Sequence, residues 1–294
     1  MYIGRFAPSP TGALHLGSLF AAVASYLDAR HCGGRWLLRM EDLDTPRIVP
    51  GSADAILRTL ERFALHWDGE ILYQSRQKDR YAAALARLEA SGLTFECSCS
   101  RKELSEQDLE SYPGTCRKRT SHAGATATRF RIEDSRTVRF VDRVQGESRS
   151  PLARLGDPII RRRDGLHAYQ LAVVLDDALQ GVTDVVRGAD LLRSTAWQIE
   201  LQQALGLSPV RYAHVPLLVE PDGRKLAKSS RSVALEPEKA AAQLASVLGL
   251  LGLPPPSGFA NGPTAAMLDW AVPRWSLAGI LGRATLPAPG PLEA

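Results

Sequence analysis

Two stretches far apart in the chain carry residue types suited to work on a polyphosphate. The first reads Arg5-Phe6-Ala7-Pro8-Ser9-Pro10-Thr11-Gly12-Ala13-Leu14-His15-Leu16-Gly17-Ser18. A strand feeding a glycine-containing loop and then a helix start offers free backbone donors and a positive dipole end, both of which suit phosphate. His15 adds a side-chain donor there, and Gly12 and Gly17 carry no side chain to hold a nucleotide off the backbone. On its glycines alone the stretch is equally an ordinary strand-to-helix turn. The second stretch, Lys225-Leu226-Ala227-Lys228-Ser229, follows Asp222-Gly223-Arg224. Its two lysines can bring positive charge to a triphosphate as pyrophosphate departs. A lysine-rich loop standing alone is usually just solvated. A third set is Cys97, Cys99 and Cys116, three of the chain's four cysteines. In a reducing compartment such a grouping points to metal, against the alternative of reduced, buried thiols. Cys32, remote from them, reads as a core residue.

These residues need a scaffold, and hydrophobic spacing supplies one. Residues 2–7 predict a strand, 8–12 a loop, 14–30 a helix and 35–40 a second strand, followed by helical patterns at 51–64 and 77–90. Such alternation favours an α/β fold with a Rossmann-type, doubly wound parallel sheet. From residue 95 the character changes to cysteines, a Tyr112-Pro113-Gly114 turn, a polar stretch and short β-like runs at 129–132 and 138–144. The expected organisation is therefore a first Rossmann half (1–94), an insertion bearing the cysteines (95–156), a second half (157–220) and a small helical C-terminal region (221–294). In the second half, residues 168–175 and 182–186 read as strands and 189–205 as a helix. Beyond Lys225, helices are expected at 237–251, 264–272 and 276–282. Asp176 and Asp177, at the end of the apolar run, receive no role. Arg161-Arg162-Arg163 would suit an RNA backbone but is more often a solvated face.

With 294 residues, 45% hydrophobic and 23% charged, the chain can bury a core, which excludes disordered and fibrous classes. No apolar run approaches the roughly 18 to 20 residues a membrane span needs. The start lacks the basic, apolar and small-residue succession of a secretory signal. A cytoplasmic, membrane-free protein is expected. The net charge of +4 is compatible with a polyanionic partner without requiring one.

In order, His15-Leu16-Gly17-Ser18 and Lys225-Leu226-Ala227-Lys228-Ser229 resemble the HIGH and KMSKS motifs of class I aminoacyl-tRNA synthetases. The pair is far more specific than either motif. The resemblance narrows to the glutamyl branch through residues 5–18, Arg39-Met40-Glu41-Asp42-Leu43-Asp44 and residues 169–187, and covers nearly all of 1–230. It implies glutamate binding by Arg5, Ala7, Ser9, Glu41, Tyr169 and Arg187. It implies ATP binding by Pro8, Gly12, His15, Gly17, Ser18 and Lys228, with His15, Lys225 and Lys228 as catalytic residues. The chemistry agrees: a dicarboxylic amino acid needs two cationic or strong-donor contacts and one carboxylate for its ammonium. Which arginine would hold which carboxylate stays open.

Two departures point within that branch. Glutamyl-tRNA synthetases carry a large helical anticodon-binding region after these positions, for which this sequence has no room. Val173 stands where they carry an asparagine. Both features, with Arg187-Gly188-Ala189-Asp190-Leu191-Leu192, resemble the truncated paralogues, the glutamyl-queuosine tRNA(Asp) synthetases. That resemblance implies a monomer that activates L-glutamate with ATP and Mg2+ as glutamyl-adenylate without tRNA. The glutamyl group would then pass to queuosine in the anticodon stem-loop of tRNA(Asp). The alternative is a minimal glutamyl-tRNA synthetase charging a tRNA 3′ end. A catalytically idle RNA-binding relative and glutamate transfer to a carrier protein are further rivals. The same family implies one structural Zn2+ held by Cys97, Cys99, Tyr112 and Cys116; three thiolates and an oxygen satisfy tetrahedral zinc.

Overall fold

The computed structural model describes residues 1–100, 103–104, 111–122, 124–220, 223, 235–259 and 262–289. Lys225 and Lys228 lie outside them. The first part of the chain runs β1 (Ile3–Phe6), α1 (Leu16–His31), β2 (Arg35–Met40), α2 (Ser52–Arg62), β3 (Leu72–Tyr73) and α3 (Lys78–Ala90). Next come β4 (Thr94–Cys97), β5 (Ala127–Phe130), β6 (Thr137–Asp142), β7 (Gly146–Pro151) and β8 (Ile159–Arg161). The remainder is α4 (Tyr169–Leu179), β9 (Asp184–Gly188), α5 (Leu192–Leu205), β10 (Arg211–Val215), β11 (Leu217–Val219), α6 (Ala240–Leu250), α7 (Thr264–Ala271) and β12 (Thr285–Pro287).

The α/β fold with a parallel sheet is present. β1, β2 and β3 pair in parallel. β9 pairs in parallel with β10, and β10 with β6, to which β7 adds an antiparallel edge. The Thr183 N–H donates to the Ile3 carbonyl at 2.9 Å, tying the start of β9 to β1. β2 departs from the alternation expected of it: all its residues but Arg35 are enclosed, Arg39 included, because both its faces are covered. Strands within residues 95–156 divide between two sheets. β4 and β5 join β8 in a small antiparallel sheet, while the β6–β7 hairpin extends the sheet of β9 and β10.

Two expectations from sequence need correction. Residues 169–179 form a helix rather than a strand, and Asp176 and Asp177 sit inside it, buried. Leu171 through Asp177 are all buried, so the segment lacks the polar face that distinguishes a surface helix from an apolar strand. Cys32, expected in the core, is exposed at the C-terminal end of α1. The expected C-terminal helices exist as α6 and α7 with short 3-10 turns. They have no separate core: Leu244, Leu248, Met267 and Trp275 pack with Leu16, Leu27 and Trp36 of the first half.

Candidate functional site

A cleft of about 790 Å³ opens where the C-terminal ends of β1, β2 and β9 meet the start of α4. Such a crevice beyond the carboxyl ends of parallel strands is where open α/β sheets bind ligands. Arg5, Ala7, Pro8, Ser9, Gly12, His15, Gly17, Ser18, Glu41, Tyr169 and Arg187 all line it.

The loop after β1 is pinned from outside. Glu41 N–H donates to the Pro8 carbonyl at 2.9 Å, and Val49 N–H and Ser52 Oγ donate to the Pro10 carbonyl. His15 caps α1, its Nδ1 accepting the Ser18 N–H at 3.3 Å. That bond assigns the ring proton to Nε2, so a neutral His15 is a donor on its other side. Gly17 leaves the ring its room: a Cβ there would lie 3.1 Å from the His15 ring, which would have to give by a few tenths of an ångström.

Arg5, Arg39 and Glu41 meet because β1 and β2 run side by side. Arg5 lies opposite Leu37, and strand alternation brings Arg39 and Glu41 onto the same side as Leu37. Arg5 Nε donates to Asp177 Oδ1 at 3.1 Å. Glu41 lies beside Arg39, 3.5 Å away. Burial raises the Glu41 carboxyl above the ordinary range despite the opposing pull of Arg39 and Arg5. Burial likewise acts on Asp177, but the two guanidiniums prevail and hold it below that range.

Arg187 is fixed across three adjacent strands. On β10 its neighbour in register is His214, whose Nδ1 lies 2.6 Å from Asp142 Oδ2 at the end of β6. Arg187 Nε donates to His214 Nε2 at 3.1 Å, which makes Nδ1 the protonated nitrogen. Burial, assisted by the nearby Arg187 charge, holds the His214 pKa below its usual value despite Asp142, in keeping with a neutral ring. Arg187 Nη2 donates to Thr195 Oγ1 at 2.8 Å and Gln198 Oε1 at 2.6 Å, and Nη1 reaches the Tyr169 hydroxyl at 3.4 Å. Burial raises the Tyr169 pKa, so the phenol is neutral. Val173, one turn along α4 from Tyr169, is fully buried and not part of the cleft lining.

The cleft thus brings the guanidiniums of Arg5 and Arg187, the Glu41 carboxylate and the Tyr169 phenol into one lining with the helix start capped by His15, and Asp44, Arg47, Arg162 and Asp190 add further charge to it. This arrangement suits a small zwitterion with an added acid group beside a phosphate-bearing nucleotide. Sequence reading missed Arg39, Asp177, His214, Asp142, Thr195 and Gln198 as supports. It also missed a charged rim, where Asp44 accepts from Arg47 at 2.5 Å and from Arg162 at 2.9 Å. Within the arginine run, Arg162 also bonds Asp164, and Arg163 donates to the Ser98 carbonyl. Arg39 stood within a motif already singled out; the His214–Asp142 pair left no local signal.

The thiols of Cys97, Cys99 and Cys116 lie within 4.8 Å of one another, away from the cleft. Cys99 and Cys116 Sγ are 3.5 Å apart, and the Tyr112 hydroxyl is 3.5 Å from Cys97 Sγ while accepting the Cys116 N–H at 2.8 Å. Sulfurs around tetrahedral zinc are roughly 3.8 Å apart, so the group can hold a metal. Burial opposes ionisation of Cys116, but hydrogen bonds from Tyr112, Ser98 and the other thiols bring it down to about 7. Gly156 lets the Tyr112 backbone approach: a Cβ there would lie 2.5 Å from the Tyr112 carbonyl oxygen. The Arg129 guanidinium lies 3.7 Å from the Tyr112 ring centroid.

Residues 3–244 match the family model described as tRNA synthetases class I (E and Q), catalytic domain. The chain is 56% identical over 287 residues to the glutamyl-Q tRNA(Asp) synthetase of Pseudomonas paraeruginosa, covering 97% of both proteins. Its counterpart in Pseudomonas putida is 53% identical over 287 residues, covering 97% of this chain and 95% of that one. Among solved structures, the glutamate-tRNA synthetase of Elizabethkingia anophelis superposes with a TM-score of 0.81 at 25% identity, over 98% of this chain and 68% of that one. A glutamate tRNA ligase from Elizabethkingia meningosepticum, in complex with its amino acid, gives 0.79 at 25% identity. The chain covers 66% of that ligase, and 97% of its own length is matched.

Proposed function

The chain belongs to the class I (E and Q) tRNA synthetase catalytic-domain family, and from that premise we propose that it activates L-glutamate with ATP, without tRNA, and transfers the glutamyl group to queuosine at the wobble position of tRNA(Asp). The observation that carries the first step is the common cleft, in which Arg5, Arg187, Glu41 and Tyr169 face the same cavity as the His15 helix start.

The α-carboxylate of glutamate attacks the α-phosphate of ATP, giving glutamyl-adenylate and pyrophosphate. A carboxylate is already the nucleophile, so no general base is needed, and the protein supplies position and charge. Arg5 and Arg187 hold carboxylates, Glu41 the ammonium, and Tyr169 and Ser9 add hydroxyl contacts. Ala7, Pro8, Gly12, Gly17 and Ser18 shape the nucleotide end, where His15 Nε2–H faces developing negative charge. Lys225 and Lys228 are proposed to complete that charge at the phosphates. Bound with ATP, magnesium would supply neutralisation of part of the phosphate charge. Cys97, Cys99, Cys116 and Tyr112 are proposed to hold one structural zinc.

The likeness to glutamyl-Q tRNA(Asp) synthetases over 97% of the chain supports tRNA(Asp) as acceptor. No helix among the described residues is long and apolar enough to cross a membrane, and a monomer acting in the cytoplasm is the setting proposed. The test is acid gel electrophoresis of tRNA(Asp), with and without queuosine, after incubation with ATP and labelled glutamate. Label on the queuosine-bearing tRNA alone is expected. Label at the 3′ end of tRNA(Glu), with none on tRNA(Asp), would replace this reading with ordinary charging.

A further inference from the structure

Asp177 takes no part in the chemistry above, yet its Oδ1 accepts two guanidiniums at once, Arg5 Nε at 3.1 Å and Arg39 Nη1 at 2.8 Å. Arg39 is wholly enclosed, at 0% exposure, and its Nη1 also donates to Gln180 Oε1 at 2.9 Å. Its other terminal nitrogen, Nη2, stands 3.5 Å from Glu41 Oε1. Arg5 and Glu41 line the cleft, whereas Asp177 and Arg39 do not. The four side chains form a row of alternating sign that joins the cation and the anion facing the cavity through two that never reach it.

The distances show how the row divides its strength. Charge-assisted hydrogen bonds close to about 2.7–2.9 Å when unopposed. Arg39 makes such a bond to Asp177 and only a long contact to Glu41. Glu41 is therefore steered by Arg39 without being consumed by it, and its oxygens keep their capacity for an ammonium. An enclosed guanidinium that lost the Asp177 charge would draw on Glu41 as its other bonded carboxylate, because an unpaired buried cation is costly.

Resting on the glutamate-activation reading, we infer that Asp177 and Arg39 are positioning residues that set Arg5 and Glu41 for the amino acid, and so tune affinity for a small zwitterionic diacid without touching it. Helical spacing is compatible with the placement: Tyr169 and Asp177, eight residues apart on α4, project about 80° apart around its axis, so one lines the cleft while the other stands behind Arg5.

The experiment is ATP–pyrophosphate exchange by the full chain, with glutamate and ATP varied separately. Asp177→Asn keeps the shape and one acceptor but removes the charge. It should raise the glutamate KM about tenfold or more while the ATP KM stays within about twofold. Adding Arg39→Gln to Asp177→Asn removes the matching positive charge and should recover much of the glutamate KM, which a merely structural role would not do. Asp28→Asn is the control for lost stability. Asp28 is a similarly buried carboxylate that accepts Arg143 at 2.5 and 3.0 Å and does not line the cleft. Its loss should lower the melting temperature and leave the glutamate KM unchanged. If Asp177→Asn does not accumulate as folded protein, Arg39→Lys serves instead, since an ammonium cannot span both carboxylates as a guanidinium fork does; an unchanged glutamate KM would then overturn the inference. An active wild type whose Asp177→Asn variant keeps its glutamate KM overturns the inference alone. A wild type inert with glutamate overturns the functional reading and this inference with it.

Discussion

In the cleft, Arg187 is bonded to groups on α4, α5 and β10, and Arg5 to groups on α4 and β9. The cysteine patch is built otherwise: Cys97, Cys99 and Cys116 lie against one another and Tyr112, in a small cluster of their own. One site is assembled by the main core before any ligand arrives. The other has a small apolar cluster of its own, and its closely spaced thiols could hold a cation. The charged groups of the cleft are held by contacts from several elements of the main fold, while the cysteines are held by local ones.

The largest effect expected from breaking this contrast is at Arg187. Arg187→Met should lower glutamate-dependent exchange by about 10³-fold, the scale of losing a buried charge-assisted partner. Metal content should not move. A variant that lost zinc together with activity would show the two regions to be coupled.

Next is the metal. Purified protein should carry about one zinc per chain, read by metal analysis. Cys116→Ser should lower the melting temperature by about 5 °C and leave the glutamate KM within about twofold. A metal content near zero would return the cysteines to the role of packed thiols.

Gly17→Ala tests the nucleotide end. The added methyl would press on the His15 ring that caps α1. The ATP KM should rise about tenfold with the glutamate KM little changed; equal rises in both would mean that the two ends are not separately built.

The smallest effect is a pH shift. Glu41 is proposed to hold the ammonium as a carboxylate, and burial raises its pKa. Affinity for glutamate should therefore fall as pH drops, beginning above the ordinary Glu range, near about 4.3. An acid limb in kcat/KM for glutamate that persists in Glu41→Gln would assign the limb to another group.

How much of this was legible in sequence depended on how local each signal is. The strand, loop and helix over residues 3–31 were readable because a short apolar strand, a Pro- and Gly-containing loop and a helical run follow in order. The limits of β2 matched at both ends because Gly33-Gly34 and Glu41 bracket an apolar run. α4 was misread as a strand because its enclosed residues, including Val173 and Val174, carry no polar face. The residues facing the cleft came from motifs; of their supports, Arg39 and Asp177 lay within stretches already singled out, while His214, Asp142, Thr195 and Gln198 lay outside them. His214 and Asp142 are 72 positions apart and meet only because β6 and β10 are neighbours in the sheet. Asp177 reaches Arg5 across 172 positions. Long-range pairing of this kind leaves no periodicity to read.

The central claim is that one cleft joins glutamate to adenylate without help from RNA. It is tested most directly by glutamate-dependent ATP–pyrophosphate exchange in a tRNA-free reaction. The account predicts exchange with glutamate and ATP alone. Exchange that appears only after tRNA(Glu) is supplied would contradict it.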